Sequence, residues 1–455
     1  MGIIAKVGSA LQQLFGGIAE TAAKESGVIK RQRKFSALSL ARTFALGFLN
    51  DPKSSDEKLA QFAVNCGIAI TPQGIEQRHT PQMIDFLQKL FQKATQVLVG
   101  SSKSLAPILE RFSSVTVLDS STITLPDELQ EQYRGGRGCR GKDTAALKLQ
   151  TEWDLRSGGL THVEVEHGRS CDNASSRQDA RRGPGSLRIA DLGYFDLAVF
   201  AAMTAVGEYF LSRLQFGTRV LLGSVVDAGG DDALEVVDLL PWLQQQWQSQ
   251  GGSRFVDRPI VLGKAQRLKC RLIAWRLPQE QADRRRAKLR QEMRSRKGRE
   301  PSDERLAWCD WSILITNVPE DKLTPKEAAV LYRARWQIEL LFKRWKSQGL
   351  VEQLSGSTVV RQMVRVWARL LAVLIQHWMV VGCIWGNIEK SLTKASEAAR
   401  AFAGRLATAG DERELDKVLA DFETVLAKTC RRDKRSNPGT FELLTNPQLL
   451  EFGLT

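Results

Sequence analysis

A chain of 455 residues with 43% apolar content can bury a large core, and by size it divides into two to four domains. A net charge of +14 and a pI near 9.6 point to a polyanionic partner, nucleic acid first, because clustered cations bind phosphates by releasing condensed counterions. The 7 cysteines are scattered, odd in number and without a CxxC pair, the 4 histidines form no HExxH, and Gly263-Lys264 is followed by Ala, so disulfide, zinc and Walker-loop chemistries are disfavoured and carboxylate chemistry is left.

In chain order, residues 1–105 read as a helical N-terminal domain, with amphipathic runs at 4–20, 35–49 and 81–98 broken by Asn50-Asp51-Pro52 and Thr71-Pro72. The start has neither a signal-peptide layout nor a myristoylation site, since Lys6 stands where Ser or Thr is wanted. Within the domain, LAQFAVNCGIAITPQGIEQR fits a helix-turn-helix: Ala63 and Gly67 form the turn, and Thr71-Pro72 opens a helix bearing Gln73, Glu76, Gln77 and Arg78. An ordinary helical hairpin fits equally well.

From Ser114 the pattern turns to β. VTVLDSSTITL is a buried strand reaching Asp119, LKLQTEWDL and LTHVEVEH flank Ser157-Gly158-Gly159 as a hairpin, and SLRIADLGYF is a short apolar strand reaching Asp191. The segment FDLAVFAAMTAV suits a helix and EYFLSRL a further strand, which together predict a mixed α/β sheet. Between the first two strands, the loop Arg134-Gly-Gly-Arg-Gly-Cys-Arg-Gly-Lys142 is either a phosphate cradle or a plain surface loop.

Residues 215–320 interrupt this pattern with strand candidates TRVLLGSVV, RPIVLGKA, KCRLIAWRL and CDWSILITNV and with a charged stretch from Gln279 to Glu304. The basic core of that stretch, Arg284-Arg285-Arg286 onward, reads as a solvated helix or loop, with contact to a nucleic-acid backbone as the alternative. After residue 350 the chain is helical again to a basic tail around Arg431 to Arg435. The apolar run 370–385 contains Gln376 and His377 and follows Arg361, Arg365 and Arg369, so it reads as a buried helix and not a membrane span.

The stretch LYRARWQIELLFKRWKSQGL is the most informative. As one helix it places Tyr332, Arg335, Glu339 and Lys346 within an arc of roughly 60°, a carboxylate flanked by a phenol and two cations. Leu331, Ile338, Leu341, Phe342 and Trp345 form the neighbouring apolar stripe, while Arg333, Gln337 and Arg344 fall toward solvent. Asp119, Asp191 and Glu339 stand out as three carboxylates at strand ends and on this face, and such a trio suits a pair of hard divalent cations.

The spacing Tyr-x2-Arg-x3-Glu-x6-Lys is the signature of the IS-four family of cut-and-paste insertion-sequence transposases, within the DDE superfamily, and the chain resembles that family across residues 110–350. VLDSSTITLP around Asp119, IADLGYFDL around Asp191 and YFLSRL around Arg213 extend the likeness in the expected order. The resemblance implies an RNase H-like catalytic core at 106–214 and 321–350, interrupted by a β-rich insertion at 215–320 and followed by a helical C-terminal region at 351–455 that contributes to dimerisation. It implies Asp119, Asp191 and Glu339 as catalytic metal ligands for two Mg²⁺ ions, with Mn²⁺ able to substitute. Asp227, Asp231 and Asp232 are rivals for the second position, but their Gly-rich turn reads as a loop of the insertion.

The same resemblance makes Tyr332, Arg335 and Lys346 phosphate contacts. It adds Arg213 as a further contact, with a strand-edge ion pair as the alternative, and Trp311 as a base-stacking residue, with a place in the core as the alternative. The implied reaction is strand cleavage at paired terminal inverted repeats through a hairpin intermediate, then transfer to target DNA, carried out by a homodimer on double-stranded DNA in a prokaryotic cytoplasm and away from membranes. A structure-selective nuclease of the same fold and a non-catalytic DNA-binding regulator are the alternatives.

Overall fold

Strand β1, Val115–Leu125, opens with four buried residues and is half-buried from Asp119 to Ser121, so the run that reads as one apolar strand changes character at the aspartate. This computed structural model describes residues 3–29, 34–137, 143–223, 234–249, 254–434 and 437–450. The chain forms two compact units, each discontinuous in sequence. The first comprises Met1–Leu105, Asp119–Cys171 and Gln337–Lys434, and the second Ala106–Leu118, Asp172–Trp336 and Arg435–Thr455.

In the first unit β3 (Asp143–Asp154), a neighbour of β1 in the sheet, pairs antiparallel with β2 (Arg134–Arg137) and with β4 (Leu160–His167). The expected hairpin is present. The Asp154 carboxylate accepts from Ser157 Oγ at 2.6 Å, Gly158 takes φ +75°, and Trp153 Nε1 donates to the Gly158 carbonyl at 2.7 Å. A side chain at Gly158 would collide with Trp385, so glycine is required there both by conformation and by space.

Helices complete this unit. The amphipathic runs near the N-terminus become Ile3–Gln13, Ala19–Ser26, Ala37–Asn50 and Pro81–Ala94, the last started by a Thr80 hydroxyl that accepts the Met83 N–H. They surround Val359–Ile384, a 26-residue helix apolar and long enough to cross a membrane, whose most apolar window is 94% buried inside the protein. Phe91 meets Trp367 at 5.9 Å, and buried Asp56 accepts from His79 Nε2 at 3.1 Å, Arg365 at 3.3 Å and Arg361. The three arginines that precede the apolar run are therefore internal ties, Arg369 donating to the Pro52 carbonyl at 2.9 Å.

The helix-turn-helix expectation does not hold in form. After Gly67 at φ +74°, the second helix is only Pro72–Glu76, five residues, with Gln77 and Arg78 beyond its end and Arg78 lying over the Phe35 ring at 5.4 Å. A recognition helix needs more turns than this to lie along a groove, and the hairpin reading fits the segment.

In the second unit the first half of β1 pairs in parallel with β5 (Leu187–Ala190), and β5 pairs in parallel with β6 (Tyr209–Arg213). Residues 215–320 then supply β7 (Val220–Gly223), β8 (Leu234–Val236), β9 (Val256–Leu262), β10 (Leu268–Arg276) and β11 (Trp311–Thr316). These extend the sheet antiparallel in the order β6-β11-β10-β9-β7-β8. The interruption in sequence is thus a continuation of the sheet in space. It also contains two helices, Leu239–Ser249, which was not foreseen, and Gln279–Lys297, where a solvated helix or loop was expected.

One sheet face packs Phe210, Leu214, Trp311, Ile313 and Ile315 against the helix Leu197–Ala205, where Phe200 stacks on Phe210 at 4.4 Å. That helix starts where Asp196 accepts the Ala198 and Val199 N–H groups. The rival acids Asp227, Asp231 and Asp232, most of the loop 134–142 and Arg435 of the basic tail lie outside the described residues.

Candidate active site at the strand ends

Within the second unit, strand register brings Asp191 and Arg213 to neighbouring strand ends. The β1–β5 pairing runs from Val115↔Leu187 to Leu118↔Ala190, after which β1 continues into Asp119 of the first unit and β5 ends just before Asp191. The β5–β6 pairing runs from Leu187↔Tyr209 to Ile189↔Leu211, and two residues further on in each strand stand Asp191 and Arg213. Carboxyl ends of parallel strands are where side chains converge on ligands in α/β sheets. Asp191 occupies the N-cap position of the short turn Leu192–Tyr194 without its side chain closing a cap, which leaves the carboxylate available for other duty.

Around Asp191, within the second unit, the groups are basic and phenolic. Tyr332, on the helix Pro325–Ala334, interacts electrostatically with Arg213, Asp191 and Arg335. Its hydroxyl oxygen is buried and closes no hydrogen bond of good geometry, although the Arg335 guanidinium lies beside it and favours its charged form. Burial chiefly, with the Asp191 charge adding to it, pushes its pKa up to about 12, so it is a proton donor at any physiological pH. Arg335 ends the helix, its N–H bonding back to the Tyr332 carbonyl at 3.1 Å, an i to i−3 closure that tightens the last turn.

That closure corrects the single-helix expectation. The chain forms two helices, Pro325–Ala334 and Trp336–Ser347, with Arg335 between them, and the first belongs to the second unit while the other, from Gln337, belongs to the first unit. The wheel is also amended: Gln337 is 7% exposed, and Arg333 and Arg344 are half-buried where solvent was expected.

In the first unit Glu339 is half-buried on Trp336–Ser347, and Lys346 of the same helix donates to the Thr122 carbonyl of β1 at 2.8 Å and pairs with Glu352. The helix bearing Glu339 is thereby fastened to the strand half that begins at Asp119, whose Oδ1 accepts the Ser120 N–H at 2.8 Å. Asp119 and Glu339 are residues of the first unit and Asp191 of the second, and no ready-made group of three metal-ligating side chains occurs among the described residues.

Trp311 is 5% exposed and meets Trp247 edge-on at 5.8 Å within the core, so its indole faces are covered by protein. Trp336, beside Arg335, is the indole that is open, at 53% exposure. Two further residues were not singled out from sequence. Arg285 lies by Arg213 and Tyr332, and burial together with the Arg213 charge lowers it to about 10. Arg344 faces His377 in a cavity of about 10 Å³, also lined by Trp153, Gln376, Trp385 and Ser396, and burial lowers it to about 10. The alternation of charged residues along each helix hid both, since their inward turn depends on what packs there.

Comparison with known proteins bears on this arrangement. Residues 110–375 match the family model described as Transposase DDE domain. The chain is 29% identical over 372 residues to the transposase for insertion sequence element IS231B of Bacillus thuringiensis subsp. berliner, covering 78% of this chain and 75% of that one. It is 24% identical over 324 residues to the transposase for IS1151 of Clostridium perfringens, covering 68% and 66%. A shorter likeness, 39% over 105 residues, links it to the putative transposase InsL for IS186A of Escherichia coli, covering 23% of this chain and 28% of that protein.

Proposed function

This chain belongs to the transposase DDE domain family, and on that premise we propose that it moves an insertion sequence by cut-and-paste transposition, cleaving DNA at terminal inverted repeats through a hairpin intermediate. The observation that supports the reading is the register of β5 and β6 in the second unit, with Asp191 just past the end of β5 and Arg213 at the end of β6, both interacting with Tyr332, which also interacts with Arg335. Acids beside fixed cations suit phosphoryl transfer, a reaction that positioning and electrostatics alone can catalyse.

We assign Asp119, Asp191 and Glu339 as the holders of two Mg²⁺ ions. Their oxygens are the hard donors such ions want, and Asp191 is not consumed by a helix cap. Bound there, the ions would supply the Lewis acidity that activates the attacking oxygen and steadies the leaving one. The chain's own residues then hold the DNA. Tyr332 donates its hydroxyl proton to a phosphate oxygen, Arg335 and Arg213 clamp phosphate charge, and Lys346 exchanges Glu352 for a backbone phosphate.

These contacts position DNA without reading its sequence, so selection of the inverted repeats falls to other parts of the chain, residues 1–105 first. A homodimer, with the region 351–455 contributing to its interface, would give each transposon end its own active site.

The deciding experiment uses purified full-length protein and linear DNA carrying the inverted repeats that flank its gene, with and without Mg²⁺. Nicks at the repeat ends, hairpin-ended products and joining to a second DNA, all dependent on Mg²⁺, are expected. Cleavage without joining would make it a nuclease, and binding without cleavage a regulator.

A further inference from the structure

The helix Gln279–Lys297 exposes Arg284, Lys288, Arg290, Arg294 and Arg296 but turns Arg285 and Arg286 inward. Arg286 is fully accounted for by protein: it pairs with Asp283 at 2.5 Å and with Asp310. Arg285 has only neutral acceptors. Its guanidinium donates to the Trp311 carbonyl at 3.1 Å and to Ser312 Oγ at 3.1 Å, at the start of β11.

That anchorage decides where the charge sits. Leu314 of β11 is paired with Arg213 of β6, and Ser312, two residues earlier, shares its sheet face. The opposite face carries Trp311, Ile313 and Ile315 and is filled by the apolar core. Arg285 is thus held on the face of Arg213, close enough for the two cations and the Tyr332 phenol to interact. Among the described residues neither Arg285 nor Arg213 forms an ion pair, and the Tyr332 oxygen is buried with no hydrogen bond of good geometry, the Arg335 guanidinium lying beside it. Two guanidiniums and a phenol, all donors and partly removed from water, leave a place whose missing partner is an anion with several acceptor oxygens.

We propose that Arg285, with Arg213 and Tyr332, binds one backbone phosphate of the DNA beside the strand ends, so that the helix of the insertion supplies a wall of the active site. The proposal rests on the phosphoryl-transfer reading above and adds to it a residue from a different segment. A tetrahedral phosphate can accept from both guanidiniums and the phenol at once, which turns the repulsion between the cations into shared attraction. Ser312 and the Trp311 carbonyl serve as the fixed brace that keeps Arg285 in place between binding events.

The test uses full-length protein, Arg285→Gln and Arg285→Lys, with a duplex of the inverted repeat flanking the gene, and the same duplex carrying a single neutral methylphosphonate stepped along each strand. Affinity against salt, single-turnover cleavage and urea unfolding are measured. Arg285→Gln is expected to bind about 10-fold more weakly, with the salt slope reduced by about 1 and unfolding unchanged. Arg285→Lys should recover part of the affinity, and one methylphosphonate position should weaken the wild type by the same factor while leaving Arg285→Gln no worse.

Wild-type affinity and slope in Arg285→Gln, or penalties that add at every methylphosphonate position, overturn the proposal. Should Arg285→Gln not fold, Arg285→Lys carries the test. It keeps the charge but loses the fork, so sensitivity at that one phosphate should fall, and sensitivity equal to wild type at all positions is the refuting result. A wild type that shows the Arg285-dependent slope yet never cleaves sinks the transposition reading alone, and cleavage by Arg285→Gln at wild-type rate and affinity sinks the phosphate site alone.

Discussion

Replacing Tyr332 by Phe removes one oxygen that is buried and has only the poorly aligned Arg335 guanidinium as a hydrogen-bonding neighbour, so its effects on folding and on chemistry should have opposite signs. In the free protein the hydroxyl has given up water for an imperfect contact with Arg335, a situation that costs up to about 1–3 kcal/mol, and part of this is regained on its removal against a small loss of packing. Stability is therefore expected to be unchanged or to rise by up to about 1.5 kcal/mol. In the DNA complex the same hydroxyl donates to a charged phosphate oxygen, a bond worth about 1.5–3 kcal/mol, which corresponds to a cleavage rate lower by roughly 10- to 150-fold. Urea unfolding and single-turnover cleavage of an end-containing duplex measure the two halves. Because the phenol is pushed up to about 12 by burial and by Asp191, the wild-type rate should show no phenol titration between pH 6 and 10. A variant destabilised by more than about 1 kcal/mol, or one that cleaves within twofold of wild type, refutes the argument.

Asp119→Asn and Glu339→Gln should retain binding to end DNA in a mobility-shift assay and lose Mg²⁺-dependent cleavage to background, and cutting by either variant would remove that acid from the site. Asp56→Ala leaves Arg361 and Arg365 facing each other without their carboxylate, a change expected to cost about 2–4 kcal/mol in urea unfolding after discounting for the partial exposure of Arg361. His377 is held neutral by burial and by Arg344, with its pKa lowered to about 3, and Nε2 donates to the Gly158 carbonyl at 3.0 Å. The unfolded chain takes up that proton first. This contribution to stability is therefore complete above about pH 6.5 and is lost as pH falls toward 3, by up to about 1.4 kcal/mol per unit, and His377→Gln should flatten that slope. Trp311→Ala should destabilise by about 3–5 kcal/mol, whereas Trp336→Ala should leave unfolding within about 0.5 kcal/mol, so a cleavage defect in a folded Trp336→Ala would assign base stacking to the exposed indole.

Local elements follow from residue order alone. The β1 run, the hairpin at Ser157 to Gly159, the helix behind Asp196 and the long apolar helix were all legible, because periodicity and capping chemistry act within one element. Spacing singled out Tyr332, Arg335, Glu339 and Lys346, and of these the structure sets Tyr332 and Arg335 with Asp191 and Arg213 in the second unit. Tertiary structure decided what depended on partners distant in the chain. Residues 215–320 looked like an interruption because no local pattern says that β11 will pair with β6. The break at Arg335 leaves no mark in a helical wheel, since every residue around it can be helical. Arg285 and Arg344 read as solvated in a charged stretch, and Trp311 and Trp336 looked alike. Which of these turned inward was settled by whether a carbonyl, a strand face or another indole stood ready to receive the side chain, and such long-range contacts have no representation in neighbouring residues.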